Sequence, residues 1–151
     1  MGEASGRIQG DAHLFPVRVY WEDTDAGGIV YYANYLKFTE RARSDMLRLL
    51  GIDQRAMLDA DDGAMFAVRD VTVEYLSPAR LDDDLVVRTR LIALKGATIT
   101  LEQDVLRAET VLVHTRVRAA FIGLGGGPRR IPPDIRTAMA GLAARDGEEE
   151  T

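Results

Sequence analysis

From Trp21 to Glu40 the chain reads WEDTDAGGIVYYANYLKFTE, and this stretch gathers residues able to do chemistry. Two aspartates (Asp23, Asp25), a glycine pair (Gly27, Gly28) and three tyrosines (Tyr31, Tyr32, Tyr35) fall within it. Strand-to-helix connections usually run about 4–6 residues and carry no such concentration of reactive and flexible types. The pattern reads as strand end, loop, then the N-terminus of a long helix. A carboxylate in such a loop is a candidate nucleophile or general base, aimed at whatever binds there. Glycine beside it permits positive φ and a close approach of backbone to ligand.

Other chemistry is weighed against this. Asp25 could instead close a turn or cap the helix, and Asp23 reads as structural or solvated. Glu40 lies eight residues beyond Tyr32, about 12 Å along a helix axis. That is too far to share one reacting carbon with Asp25, so a salt bridge or polar network is expected of it. The Asp23-x-Asp25-x-Gly27 spacing suggests calcium, but a calcium loop needs glutamate at its twelfth position, where this chain has Asn34. No metal is expected. His13 and His114 lie outside the loop, one at a fraying end and one on an exposed strand position, and are expected to be non-catalytic. The chain has no cysteine, which removes disulfides, thiolate metal sites and cysteine nucleophiles.

Several elements must position the loop. Leu14 to Trp21 alternates Phe15, Val17, Val19 and Trp21 against Arg18 and Tyr20, a strand of period two. From Ala33 the apolar residues recur at three and four, through Leu36, Ala42, Met46, Leu47 and Leu50, with Tyr35, Phe38 and Leu49 beside them. This predicts a helix of about 16–19 residues, stopped at Gly51. Its electropositive N-terminus points back at the loop. A short helical turn around residues 54–58 precedes four strands over residues 66–76, 85–94, 98–107 and 111–122. Lys95-Gly96 and Ala108-Glu109 make hairpins of them. Gly123 to Pro133 breaks regular structure, and a short helix follows over 134–143. A five-stranded antiparallel sheet wrapped around one long helix, an α+β fold, satisfies this order.

At 151 residues and 46% hydrophobic content the chain makes one domain, expected over residues 12–144, with flexible tails at 1–11 and 145–151. A net charge of −5 argues against nucleic acid and anionic membranes as partners. No apolar run reaches a membrane span, and the N-terminal MGEASGRIQGDAH lacks the apolar core of a signal peptide. A soluble cytoplasmic protein is the expectation.

WEDTDAGGIVYYANYLKFTERAR resembles the signature of the hotdog-fold acyl-CoA thioesterases, in the branch of 4-hydroxybenzoyl-CoA and Tol-Pal-associated thioesterases. The similarity continues through Phe66 to Arg69, Val73 to Tyr75 and Pro78 to Asp83, and spans about Phe15 to Phe121. It implies hydrolysis of an acyl-CoA thioester, the acyl group short-chain or aromatic, with Asp25 as the catalytic carboxylate. The Tyr32 backbone amide, at the helix N-terminus, would stabilise the oxyanion. Substrate contacts are expected from Trp21, Gly28, Val30, Tyr31, Tyr35, Arg69 and Arg80. The CoA phosphates could be held among Arg69, Arg80, Arg88, Lys95, Arg116 and Arg118, each of which could equally lie on a solvated sheet face. The resemblance also implies a homodimer or homotetramer with the site at a subunit boundary, no cofactor, and acyl carrier protein as a further carrier. Tol-Pal-associated members usually have tyrosine at the Trp21 position and histidine at the Tyr32 position. Both are replaced here, so a backbone oxyanion site remains open while an Asp-Tyr-His triad does not. The alternative is a non-hydrolytic module that binds acyl-CoA or acyl carrier protein. A hotdog dehydratase is disfavoured, because those enzymes generally use a histidine base and the loop has none.

Overall fold

The computed structural model describes residues 5–149. Strands β1 (Arg7–Gln9) and β2 (Ala12–Arg18) lead through two short 3-10 turns into α1 (Tyr35–Leu49). Helix α2 (Gln54–Asp59) follows, then β3 (Ala64–Tyr75), β4 (Asp84–Leu94), β5 (Thr98–Arg107), β6 (Thr110–Gly123) and α3 (Pro133–Glu149). All strands pair antiparallel in one sheet, ordered β1-β2-β4-β5-β6-β3. With α1 packed on its concave side this is the hotdog arrangement expected, with six strands in place of five. The added strand is β1, in a segment read from its polarity as a tail. It forms because Gly10 takes φ +61° and folds Arg7–Gln9 back onto β2.

Three boundaries differ from the sequence pattern. Strand β2 stops at Arg18, and Trp21–Asp23 is a 3-10 turn, so the alternation that seemed to include Trp21 ends earlier. The α1 helix begins at Tyr35, since Tyr32–Asn34 is also 3-10. At the other end α3 continues beyond Ala143 to Glu149. Elsewhere the local signals hold. Gly51 sits at φ +80° after α1, and Asp53 caps α2 by accepting from the Ala56 N–H at 3.0 Å.

The interior is divided. One apolar cluster, built on Val19, Tyr35, Phe38, Ala79, Val87 and Val113, lies under the start of α1. A second, with Met46, Leu101, Phe121, Ile131 and Met139, lies under its end and beneath α3. Across the strands between them run His13, Thr89, Gln103 and Thr115, register neighbours in β2, β4, β5 and β6 and all completely buried. Buried polar groups need partners. Gln103 finds them in the Thr39 carbonyl (3.0 Å), the Thr89 hydroxyl (3.0 Å) and Arg43 Nη1 (2.9 Å). His13, expected at a fraying end, instead donates from Nε2 to Asp45 Oδ2 at 2.7 Å. Asp45, on α1, also accepts the N–H groups of Ser5 and Gly6, so this pair fastens the N-terminal segment to the helix.

Candidate active site

The acidic loop is built by short-range backbone pairing. The Asp23 carboxylate accepts the Tyr20 N–H at 2.8 Å, and its carbonyl accepts both the Tyr31 N–H (3.0 Å) and Asn34 Nδ2 (2.9 Å). Asp23 is buried and consumed by these bonds, a structural part. Thr24 then bridges Val30, and the Asp25 N–H reaches the Ile29 carbonyl at 3.0 Å. The turn between them closes from Gly28 N–H to Asp25 carbonyl at 3.1 Å, with Gly28 at φ +77°, a conformation that favours glycine. Asp25 itself is exposed. Its carboxylate accepts the Gly27 N–H at 2.9 Å and otherwise faces solvent among the described residues. The loop therefore presents one carboxylate outward and buries the other.

The helix end stands beside it. Tyr32 opens the 3-10 turn that runs into α1. The first N–H groups of a helix have no acceptor within it and carry the positive end of its dipole. The Tyr32 side chain is 61% exposed, and its carbonyl accepts the Tyr75 hydroxyl at 3.1 Å. Rings of Tyr31, Tyr32, Tyr75 and Tyr35 follow one another at centroid spacings of 4.8, 6.1 and 5.8 Å.

A third segment, residues 78–83, braces loop and helix together. Arg80 bridges Ile29, Leu81 N–H reaches the Gly28 carbonyl at 2.9 Å, and Val30 N–H reaches the Ala79 carbonyl at 2.9 Å. Toward the helix, Ala79 N–H donates to the Tyr35 hydroxyl oxygen at 2.9 Å. Asp83 fastens the segment's own turn, accepting Arg80 N–H at 2.9 Å and Arg107 Nη1 at 2.8 Å. Burial pushes the Asp83 carboxyl up, but these donors outweigh it and hold it below the ordinary value.

Of the residues singled out by sequence, Trp21, Asp25, Gly28, Tyr31, Tyr32 and Arg80 come together around this loop. Trp21 is 73% exposed and lines an open groove with Tyr20, Leu81 and Asp82. Val30 turns its side chain into the core, and Tyr35 is buried with its hydroxyl already engaged. Arg69 stands apart at a bulge in β3, six residues and about 20 Å of strand from Tyr75. Sequence reasoning gave Tyr75 and Ala79 no part in the site. Both lie in the matching motifs at 73–75 and 78–83, but their hydrogen-bond partners are distant in the chain. On the outer sheet face Glu102, Asp104 and His114 bring three donor atoms within 4.8 Å. Asp104 is tied to Arg88 at 3.0 Å and Glu102 to Arg116 at 3.4 Å, so this is a ladder of ion pairs.

Residues 19–139 match the family model of the thioesterase-like superfamily. The acyl-CoA thioesterase YbgC of Haemophilus influenzae is 44% identical over 126 residues, 83% of this chain and 92% of that protein. The acyl-CoA thioester hydrolase YbgC of Escherichia coli O157:H7 is 46% identical over 100 residues, 66% of this chain and 73% of that one. A solved structure of a probable thioesterase from Bartonella henselae superposes with a TM-score of 0.77 at 39% identity, covering 80% of this chain and 99% of its own.

Proposed function

The chain belongs to the thioesterase-like superfamily, and from that premise we propose that it is an acyl-CoA thioesterase in which Asp25 acts at the thioester carbon. The observation that carries the reading is the placement of one solvent-facing carboxylate on a loop pinned, through residues 78–83, to the N-terminus of α1. The thioester carbonyl would lie between the two. Asp25 attacks it, or takes a proton from a water that does, while the Tyr32 N–H and the dipole behind it receive the charge building on oxygen. Collapse of the tetrahedral species breaks the C–S bond. With water as nucleophile the free acid forms and the thiolate takes the proton that Asp25 removed; with Asp25 as nucleophile the acyl group stays on it as a mixed anhydride until water hydrolyses it, and the thiolate is protonated from solvent. Trp21, Gly28 and Tyr31 flank the position of the thioester in this reading, and Arg80 is the nearer candidate for a CoA phosphate.

The protein also acts as a homo-oligomer in this reading. Strand β3 ends the sheet with an unpaired edge, and Val68 and Tyr75 on it are about half exposed, features that favour pairing with a second chain. Acyl carrier protein is the other carrier it would accept.

The test is release of free thiol from a panel of short-chain, long-chain and aromatic acyl-CoAs, with Asp25→Asn assayed beside the native protein. Turnover is expected on at least one member, with a loss of about a hundredfold or more in Asp25→Asn. Silence of the native protein across the panel sinks the activity, and an unchanged rate in Asp25→Asn sinks the role of the residue.

A further inference from the structure

Ala79 is completely buried and used from both sides. Its N–H donates to the Tyr35 hydroxyl oxygen at 2.9 Å, and its carbonyl accepts the Val30 N–H at 2.9 Å. Tyr35 is the first residue of α1. Val30 is bridged to Thr24, next to Asp25. A run of three short contacts therefore leads from the helix N-terminus, through Ala79, to the base of the carboxylate loop.

We propose that Tyr35 is a positioning residue, which through Ala79 sets the placement of Asp25 relative to the helix N-terminus. The inference rests on the reading of Asp25 and the Tyr32 amide as the reacting pair. Its strength lies in what the hydroxyl does and does not do. The ring of Tyr35 packs edge-on against Phe38 at 6.0 Å and fills the first apolar cluster, and phenylalanine would serve that purpose equally. The hydroxyl oxygen is spent on residue 79, outside the helix. Burial pushes the Tyr35 hydroxyl up from its ordinary value, so it stays a neutral phenol across any working pH.

Without that oxygen the buried Ala79 N–H has no acceptor, and the segment must shift to find one. Val30 and the Asp25 loop, bonded to the same segment, shift with it. Contacts that bind a large acyl-CoA are spread over a wide surface and change little, whereas the reacting distance changes directly. Misplacement of about 1 Å costs on the order of a hundredfold in rate. The loss therefore belongs in kcat.

The experiment compares Tyr35→Phe with Phe38→Leu, which opens a cavity in the same cluster and against the Tyr35 ring but removes no hydrogen bond of the loop or its brace. Tyr35→Phe is expected to lower kcat at least about tenfold with KM within about twofold. Phe38→Leu is expected to melt earlier while keeping kcat near the native value at 25 °C. A native kcat in folded Tyr35→Phe, or kcat losses in the two variants that simply track their melting temperatures, overturns the inference. Should Tyr35→Phe fold poorly at 25 °C, both proteins are assayed cold, where circular dichroism shows the variant folded; a native kcat there overturns it equally. Failure of the underlying reading is distinguishable, since Asp25→Asn then keeps its turnover whatever Tyr35→Phe does.

Discussion

Replacing Asp45 by alanine tests the packing of α1 most directly. The Asp45 side chain is 4% exposed and accepts three hydrogen bonds, from Ser5 N–H at 2.9 Å, Gly6 N–H at 3.0 Å and His13 Nε2 at 2.7 Å. Ser5 is exposed and can turn to water. His13 is completely buried and half-buried Gly6 is wedged against it, so neither donor turns freely to water. Two stranded donors at about 1–3 kcal/mol each give a loss of roughly 4 kcal/mol, a large share of a typical folding free energy. In a domain of this size that corresponds to about 12 °C in melting temperature. Thermal unfolding at neutral pH measures it, and a double-mutant cycle with His13→Phe isolates the pair. A loss below about 1 kcal/mol, or a coupling indistinguishable from zero, refutes the reasoning. The pair also predicts a pH dependence. Desolvation dominates at His13 and lowers its pKa from 6.5, against the opposing hydrogen bond and charge of Asp45. The unfolded chain then binds a proton that the folded one does not, so the stability owed to neutral His13 is lost as pH falls through 6.5. That acid-side slope is expected to shrink in His13→Phe.

Asp83 titrates with the opposite cause and the same direction. Its carboxyl is held low by Arg80 N–H and Arg107, so its contribution is present above 3.8 and fades as pH falls below that value; chemical denaturation between pH 5 and 3, native against Asp83→Asn, measures it. Gly28→Ala meets no atom within 4 Å, so its cost is the φ of +77° alone, roughly 1 kcal/mol. A melt shows that cost, and an accompanying fall of kcat is expected because the turn carries Asp25. Val68→Lys places charges on the open edge of β3 and is expected to shift sedimentation toward the monomer, with no change if oligomers form elsewhere.

The strands β3 to β6 and the three-and-four spacing of α1 were legible, because each depends on near neighbours. The belt across the core was not. Gln103 falls on the apolar face of β5 by its period of two, yet a lone glutamine there gives no hint that Thr39, Thr89 and Arg43 converge on it from other elements. His13 was misread for the same reason, since Asp45 is 32 residues away. Leu36 carries the helical period and Leu49 lies beside it, yet they are 38% and 40% exposed, because the sheet covers only part of α1. For the site, the loop was legible and its brace was not. Asp25, Gly28 and Tyr32 lie close together in the chain, whereas Tyr35 and Ala79 meet across 44 residues.

The exposed aromatic rings bear on how this site departs from the pattern that the sequence resemblance implies. Trp21 and Tyr32 stand where the resemblance implies a tyrosine and a histidine, and here both side chains point largely into solvent. A group that acts on a bound proton must reach it at hydrogen-bond distance. The Tyr32 ring instead lies against Tyr31 and Tyr75, and the Tyr32 backbone is what the surroundings restrain. Its carbonyl is held by the Tyr75 hydroxyl, and its N–H stands at the head of the helix. The restraint is spent on the peptide group, so chemistry at residue 32 depends little on the side chain it bears. Tyr32→His is accordingly expected to leave kcat within about threefold of native, measured on the best acyl-CoA of the panel. A gain of tenfold or more would mean that the imidazole reaches the reacting atoms, and that the backbone alone is the lesser part of this site.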